Sequence, residues 1–263
     1  MPHSWANQSW HNKFWNTDGT IEKKLLIEQC YPGIEDIINH FYTLLPAFKD
    51  KRYHKIDNRN FFMIYDPMNH PEMRNFITKW RELAAKENIA DFYFVAHWQN
   101  ELTPEIIQRL TDYGFDKINY CGLWEAPGRL SRFRDEGKSV IRLAYRKVKD
   151  IIESRILRNF KYFRYKDIYP FFLDGSETDE MIIPTIIPNW DHSPRSGKSA
   201  YIIGDSSPNL FKNHLLDTLK MISGKKNNII ILKSWNEWGE GNYVEPDLKW
   251  GKGYLNVLQE CLK

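Results

Sequence analysis

The feature that most constrains this chain is a recurrence of short apolar runs without alternation, each ending in polar or aromatic residues and set between helical segments. The runs are Phe61-Phe62-Met63-Ile64-Tyr65, Phe92-Tyr93-Phe94-Val95-Ala96, Ile182-Ile183 with Ile186-Ile187, and Ile229-Ile230-Ile231-Leu232. An unbroken apolar run of this length is what a strand covered on both faces requires, as in a parallel sheet flanked by helices. The helices are clearer still. From Gly33 to Asp50, the residues Ile34, Ile37, Ile38, Phe41, Leu44, Leu45 and Phe48 fall on one helical face. From Glu72 to Glu87, Met73, Phe76, Ile77, Trp80, Leu83 and Ala84 do the same. Thr103-Pro104-Glu105 is a capped start and Gly114 a stop, while Ser207-Pro208 opens a helix running toward Gly224. A last helix is expected from about Gly253.

Strand–helix alternation in this order predicts an α/β fold with a parallel sheet. The runs end in Tyr65-Asp66-Pro67, His97-Trp98-Gln99-Asn100, Asn189-Trp190-Asp191-His192 and Ser234-Trp235-Asn236-Glu237. In a (β/α)8 TIM-barrel-like fold those ends share one rim, where active sites gather. The stretch from Ala126 to Asp179 is less regular. We read it as a helix from about Ser139 to Arg158 followed by an aromatic, basic segment, within a single domain spanning residues 1–263. Five or six such units do not close an eight-stranded barrel, so about the first two βα units are expected to be lacking, or the sheet to be open.

Composition narrows the function. Aromatic residues make 15% of the chain, and Trp5, Trp10, Trp15, Trp190, Trp235 and Trp238 stand in polar surroundings where a core role fits poorly. Rings beside amides and carboxylates suit sugars, whose C–H faces stack while their hydroxyls hydrogen-bond. A formal net charge of +3 is too small to point to nucleic acid. Cys30, Cys121 and Cys261 give neither a disulfide framework nor zinc spacing, which fits a reducing compartment, and no apolar run reaches the ~18 residues of a membrane span. A cytoplasmic protein with no metal and no cofactor is expected.

Glu237 and Glu240 directly follow the last apolar run and flank Trp238 and Gly239. Two neighbouring carboxylates in an aromatic site are what glycosidic chemistry uses, one donating a proton to the leaving oxygen and the other acting as base or nucleophile. Trp235 and Trp238 would favour the protonated form of one of them by desolvation. The competing reading is a pair of surface glutamates in a loop.

The stretch from Ser234 to Asp247, Ser-Trp-Asn-Glu-Trp-Gly-Glu-Gly-Asn-Tyr-Val-Glu-Pro-Asp, resembles the closing motif of the WbsX-type glycosyltransferase family, itself similar to glycoside hydrolase family 99, the endo-α-mannosidases. The resemblance extends to Ser4–Trp10, Leu26–Gln29, Phe62–Tyr65 and Pro188–Arg195, and so covers nearly the whole chain. It implies a (β/α)8 barrel, with Glu240 as general acid/base and Glu237 as the carboxylate that deprotonates the sugar 2-hydroxyl for internal attack. Glu28 would be a further sugar-binding carboxylate. Gly239 departs from the pattern, since the hydrolases usually carry His there, and the family's opening barrel strands have no counterpart before Met1.

Further substrate-binding candidates are Trp5, Asn7 and Trp10, or else these form a frayed terminus. Tyr65 ends a run as a hydroxyl contact or a strand-end cap. Trp190, Asp191 and Arg195 form a rim loop for a hydroxyl-rich or anionic substrate, or a structural Asp–Arg pair. Trp235, Asn236 and Trp238 complete the set. His97 and His192 lie on rim loops without the carboxylate spacing of a metal site. The function implied is glycosyl transfer in surface polysaccharide biosynthesis, of a lipopolysaccharide O-antigen or a capsule, with an oligosaccharide or polysaccharide as partner and peripheral association with a membrane assembly complex. The alternatives are a retaining endo-glycoside hydrolase and a non-catalytic carbohydrate-binding remnant. A nucleotide-sugar transferase usually shows a Gly-rich phosphate loop or an Asp-x-Asp motif, and neither is read here.

Overall fold

The computed structural model describes residues 30–137, 148, 161–197 and 200–262, with the backbone of β1 (Ser4–Ala6) and β2 (Leu25–Glu28), which pair with each other. The chain divides into two compact units. The first holds residues 25–121 and 179–183, the second residues 122–178 and 184–263. The expected helix over 139–158 lies outside the described residues.

The first unit alternates as the sequence predicts: α1 (Ile34–Lys49), β3 (Lys55–Ile56), β4 (Arg59–Tyr65), α2 (Met73–Lys86), β5 (Phe92–Trp98), α3 (Pro104–Tyr113) and β6 (Lys117–Tyr120). The Thr103 hydroxyl accepts from the Ile106 N–H at the start of α3, and Gly114 ends that helix in the left-handed region at φ 101°. β4, β5 and β6 are parallel and adjacent. β3 was not foreseen. It forms an antiparallel hairpin with β4 through Asp57 and Asn58, both at positive φ, the backbone that a tight two-residue turn demands.

Even-numbered residues of the sheet face the helices. Phe92, Phe94, Ala96, Trp98, Ile118 and Tyr120 join Phe41, Phe48, Phe76 and Trp80 in one core, and Phe62 and Ile64 pack against it. Trp80 is fully buried, and its indole N–H donates to the Ile37 carbonyl at 3.1 Å. At the N-terminal ends of the strands, Asp116 accepts from Arg59 at 2.5 Å, from Arg81 at 3.0 Å and from the Phe94 N–H at 2.9 Å. β5 is buried on both faces, as expected. β4 is not: Met63 is 39% and Tyr65 57% exposed on the odd face. Its apolar run reflects neighbours on one side only.

The second unit contains α4 (Ala126–Asp135), β7 (Lys161–Arg164), α5 (Tyr165–Ile168), β8 (Ile182–Ile186), whose last three residues belong here, β9 (Trp190–Asp191), α6 (Ser193–Ser196), β10 (Tyr201–Gly204), α7 (Pro208–Ile222), β11 (Ile231–Leu232), β12 (Asn236–Glu237), β13 (Asn242–Tyr243) and α8 (Gly253–Cys261). Thr185 and Ile186 pair in parallel with Ile231 and Leu232, so only the second half of the 229–232 run is strand, and it is half-buried. β7, β10 and β9 make a separate three-stranded sheet. Phe211, Leu215, Val244, Tyr254, Val257 and Ile186 form this unit's core. The architecture is mixed α/β. An eight-stranded ring is not among the pairings of the described residues.

Behind that core, the Tyr165 hydroxyl donates to the Ile187 carbonyl at 2.5 Å and lies 3.0 Å from His214 Nδ1. The single phenolic proton is committed, so Nδ1 carries the imidazole proton. Nε2 is buried without a hydrogen-bond partner, among Tyr169 and Phe172. Burial therefore holds the His214 imidazole down at about 4. The unfolded chain binds the proton more tightly between pH ~6.5 and 4, so stability is complete above that window and lost as pH falls through it, by up to ~3 kcal/mol. We expect His214→Phe to flatten this part of the pH dependence. Urea midpoints at pH 7 and pH 4.5 check this, and an unchanged slope would remove His214 as its source.

Candidate active-site hairpin

Beyond β11 the chain passes a cis peptide between Lys233 and Ser234 and enters a hairpin in which Asn236 pairs with Tyr243 and Glu237 with Asn242. The four residues between the closing pair are Trp238–Glu240, a single 3-10 turn, and Gly241. Gly241 adopts the left-handed conformation (φ 52°, ψ 35°), and its N–H returns to the Trp238 carbonyl at 3.1 Å. A side chain here would be strained and would also collide, since a Cβ would lie 2.7 Å from Asp191 Cβ. Glycine thus lets the turn rest directly on Asp191. Glu237 closes the hairpin and Glu240 ends the 3-10 turn.

Two asparagines fix this hairpin. Asn242, fully buried, donates to the carbonyls of Asn189 (2.6 Å) and Lys233 (3.0 Å), while the Ser234 hydroxyl bonds its Oδ1 and its backbone carbonyl, each at 2.8 Å. Asn189 accepts from the Tyr243 N–H at 2.8 Å and donates to the Tyr243 carbonyl at 3.0 Å. The Trp235 carbonyl receives the N–H groups of Val244 and Glu245.

Aromatic rings cluster on the hairpin and beside Glu240. His192 Nε2 lies 3.7 Å from Glu240 Oε1, with the Glu240 side chain only 15% exposed. The His192 ring stacks on Trp190 (centroids 5.7 Å, 14° between planes) and meets Trp124 edge-on. Lys233 Nζ sits 5.3 Å from the centre of the Trp190 ring. Trp238 stacks on Tyr243 at 3.7 Å and donates its indole N–H to Glu245 at 2.7 Å. Burial, then the neighbouring Asp247 carboxylate, pushes the Tyr243 hydroxyl up to about 12, so it remains a donor, to Asp247 at 3.2 Å.

The structure therefore gathers Glu237, Glu240, Trp235, Asn236, Trp238, Trp190 and Asp191 in the second unit. Trp235 and Trp238 are about half exposed, the latter with one face covered by Tyr243. Trp190 is 1% exposed, despite its polar neighbours in sequence, and carries the His192 ring stacked on it. Asp191 accepts from the Ser193 N–H at 2.9 Å. Tyr65 ends β4 in the first unit. Trp5 and Glu28 fall on the backbones of β1 and β2, and their side chains, like Asn7, Trp10 and the Arg195 side chain, lie outside the described residues. Sequence reasoning missed Asn189, His192, Tyr243 and Glu245 as parts of the site. Asn189 and Tyr243 are joined by hydrogen bonds across 54 residues, which no local pattern displays. Among the described residues no group of three His, Cys, Asp or Glu is placed to hold a metal, and no helix is long and apolar enough to cross a membrane.

We expect Asn242→Ala to cost about 2–4 kcal/mol, because it strands buried carbonyls as well as losing hydrogen bonds. Asn189→Ala should be non-additive with it in a urea-denaturation cycle. Simple additivity would mean the two amides act independently.

The family model described as Glycosyltransferase WbsX matches residues 2–258. The WxcX proteins of two strains of Xanthomonas campestris pv. campestris, named as uncharacterized, are each 22% identical over 98% of this chain and 34% of their own length. The chain thus spans about a third of these curated relatives. A solved structure named as a glycoside hydrolase-like protein superposes with a TM-score of 0.57 at 14% identity, covering 87% of this chain and 61% of that one. At that identity the likeness is one of fold.

Proposed function

Because this chain belongs to the WbsX glycosyltransferase family, we propose that it is the glycosidic-bond-processing part of a carbohydrate-active enzyme of surface polysaccharide biosynthesis, with Glu237 and Glu240 as its reacting pair. What supports this reading is that both glutamates stand on one closed hairpin with the half-exposed Trp235 and Trp238, and that Glu240 lies beside the His192 imidazole. In the proposed reaction Glu240 donates a proton to the departing glycosidic oxygen. Glu237 takes the proton of the sugar 2-hydroxyl, whose oxygen attacks the anomeric carbon as the bond to the leaving group breaks. Glu240, now a carboxylate, then deprotonates an incoming hydroxyl that reopens the three-membered ring, and the 2-oxygen recovers its proton from Glu237. If that hydroxyl belongs to a sugar, the outcome is transglycosylation, and if to water, hydrolysis.

Trp235 and Trp238 supply stacking surfaces, and Asn236, exposed at the hairpin, a hydroxyl contact. Glu28, Trp5, Asn7, Trp10, Tyr65, Asp191 and Arg195 remain proposed substrate contacts. We further propose that the parallel series of the first unit belongs to a (β/α)8 barrel in the whole protein, which acts in a cytoplasmic assembly step beside the membrane. A second reading, a retaining endo-glycoside hydrolase, is favoured by the glycoside hydrolase-like fold.

Mass spectrometry of products from α-linked oligosaccharides and O-antigen fragments, with and without sugar nucleotides, tests the proposal. Rearranged glycans without nucleotide are expected, and shortened glycans alone would favour the hydrolase. Elongation that requires a sugar nucleotide would overturn the mechanism. Glu240→Gln and Glu237→Gln should each lower turnover by at least about 10²-fold with binding retained. An aryl glycoside whose leaving group needs no proton should restore the first step in Glu240→Gln only. Binding without turnover in the unaltered protein would instead mark a carbohydrate-binding remnant.

A further inference from the structure

Lys233 stands where β11 gives way to the hairpin, immediately before Ser234. Its backbone is committed: the N–H donates to the Ile186 carbonyl at 3.0 Å, and the carbonyl accepts from the Asn242 amide at 3.0 Å. Its side chain is not. The ammonium lies 5.3 Å from the centre of the Trp190 ring, and among the described residues it makes neither an ion pair nor a hydrogen bond. An aromatic face attracts a cation but offers no lone pair, so the three N–H donors of Lys233 are left for solvent or a ligand.

Acidic side chains are plentiful in this unit, and the neighbouring ones are held by other donors. Glu245 accepts from the Trp238 indole, Asp247 from the Tyr243 hydroxyl and the N–H groups of Lys249 and Trp250, and Asp191 from the Ser193 N–H. Lys233 is only partly exposed, and a partly buried cation calls for an anionic partner. The ring that it covers adds a second donor. Trp190 is 1% exposed, and its indole N–H is buried without an acceptor. An ammonium and an indole N–H on one side-chain contact, neither of them bonded to an acceptor, make a corner rich in donors. The same Trp190 ring carries His192, whose Nε2 lies 3.7 Å from Glu240. The ammonium and the Glu240 carboxylate thus approach one aromatic stack without pairing with each other.

We propose that Lys233 is a specificity-determining residue that takes the anionic group of an acidic sugar, a uronate carboxylate or a sugar phosphate, in a subsite beside the reacting pair. Lysine is a compact charge on a flexible stem and serves either group. A neutral hexose would displace water from the ammonium and return no charge. The ligand being a sugar rests on the carbohydrate reading above, whereas the demand for an anion comes from Lys233 and Trp190 alone.

The Trp190 indole resonance in ¹H–¹⁵N spectra, assigned with Trp190→Phe, reads this corner. The probes are methyl α-glucuronide, α-mannuronide and α-galacturonide and the corresponding 6-phosphates, each beside its neutral methyl glycoside. At least one acidic probe should shift that resonance saturably and bind about tenfold tighter than its neutral parent, the contribution of a charge-assisted hydrogen bond. The preference should shrink with added salt. A larger gain with the uronides assigns a carboxylate, and with the 6-phosphates a phosphate. Lys233→Met keeps an unbranched apolar cover on Trp190 and should erase the preference, while Lys233→Arg should retain it. Should Lys233→Met not fold, Lys233→Gln and the salt series on the unaltered protein carry the same reading. Equal affinity for acidic and neutral probes, or a preference that survives in Lys233→Met, would overturn the subsite and leave the glutamate mechanism standing. An equal response to inorganic phosphate or acetate alone would mark counter-ion binding and overturn it too. Binding of no sugar, acidic or neutral, would sink the carbohydrate reading itself and this subsite with it.

Discussion

The arrangement on which the glutamate-bearing hairpin depends is the exchange of hydrogen bonds between Asn189 and Asn242 and the backbones they face. A hairpin of two-residue strands has too few ladder bonds to hold itself. Its carbonyls at Lys233, Asn242 and Tyr243 are met instead by side chains, with a serine hydroxyl completing the set. Each amide is satisfied at both its oxygen and its nitrogen, and this makes the arrangement directional. A reversed amide would place donor against donor. The aromatic neighbours then add bulk: Trp190 beneath His192, and Tyr243 beneath Trp238.

The same device recurs in the first unit, on a different task. There the buried Asn119 is fixed by the Ile183 carbonyl and passes its orientation to the His97 ring. In both units an uncharged side chain with a donor and an acceptor on one carbon sets the direction of a neighbour that titrates or hydrogen-bonds. Carboxylates in those places would carry a charge that burial penalises, and aliphatic residues would leave the carbonyls unmet.

Much of the fold was legible. The helices at 34–49, 73–86, 104–113, 208–222 and 253–261 follow from apolar spacing, with Thr103, Gly114 and Ser207 as punctuation. β5 follows from its unbroken apolar run. β4 misled, because Phe61 and Met63 look like core residues although half their strand faces outward. The β3–β4 hairpin was missed because Asp57-Asn58 lacks the glycine that usually marks such a turn. Of the candidate site, the segment from Trp235 to Glu240 stood out because unusual residues are dense there. Asn189 was not, since its importance lies in which backbone it faces across more than fifty residues. His192 was read as a rim residue and weighed only as a metal ligand, since its approach to Glu240, 48 residues on, is written in no local pattern.

The closed turn has a consequence for how such a protein changes over time. Glu237 and Glu240 are spaced by three consecutive peptide units, and Gly241 presses that turn onto Asp191. Their separation is a local property of the chain, inherited as one short word and not assembled from distant letters. Substitutions elsewhere on the surface can reshape the hairpin's surroundings without altering the spacing of the pair. An insertion of even one residue in the turn would erase it. Change is then free to accumulate around the hairpin, whereas the turn itself tolerates no change of length without losing the spacing of the pair.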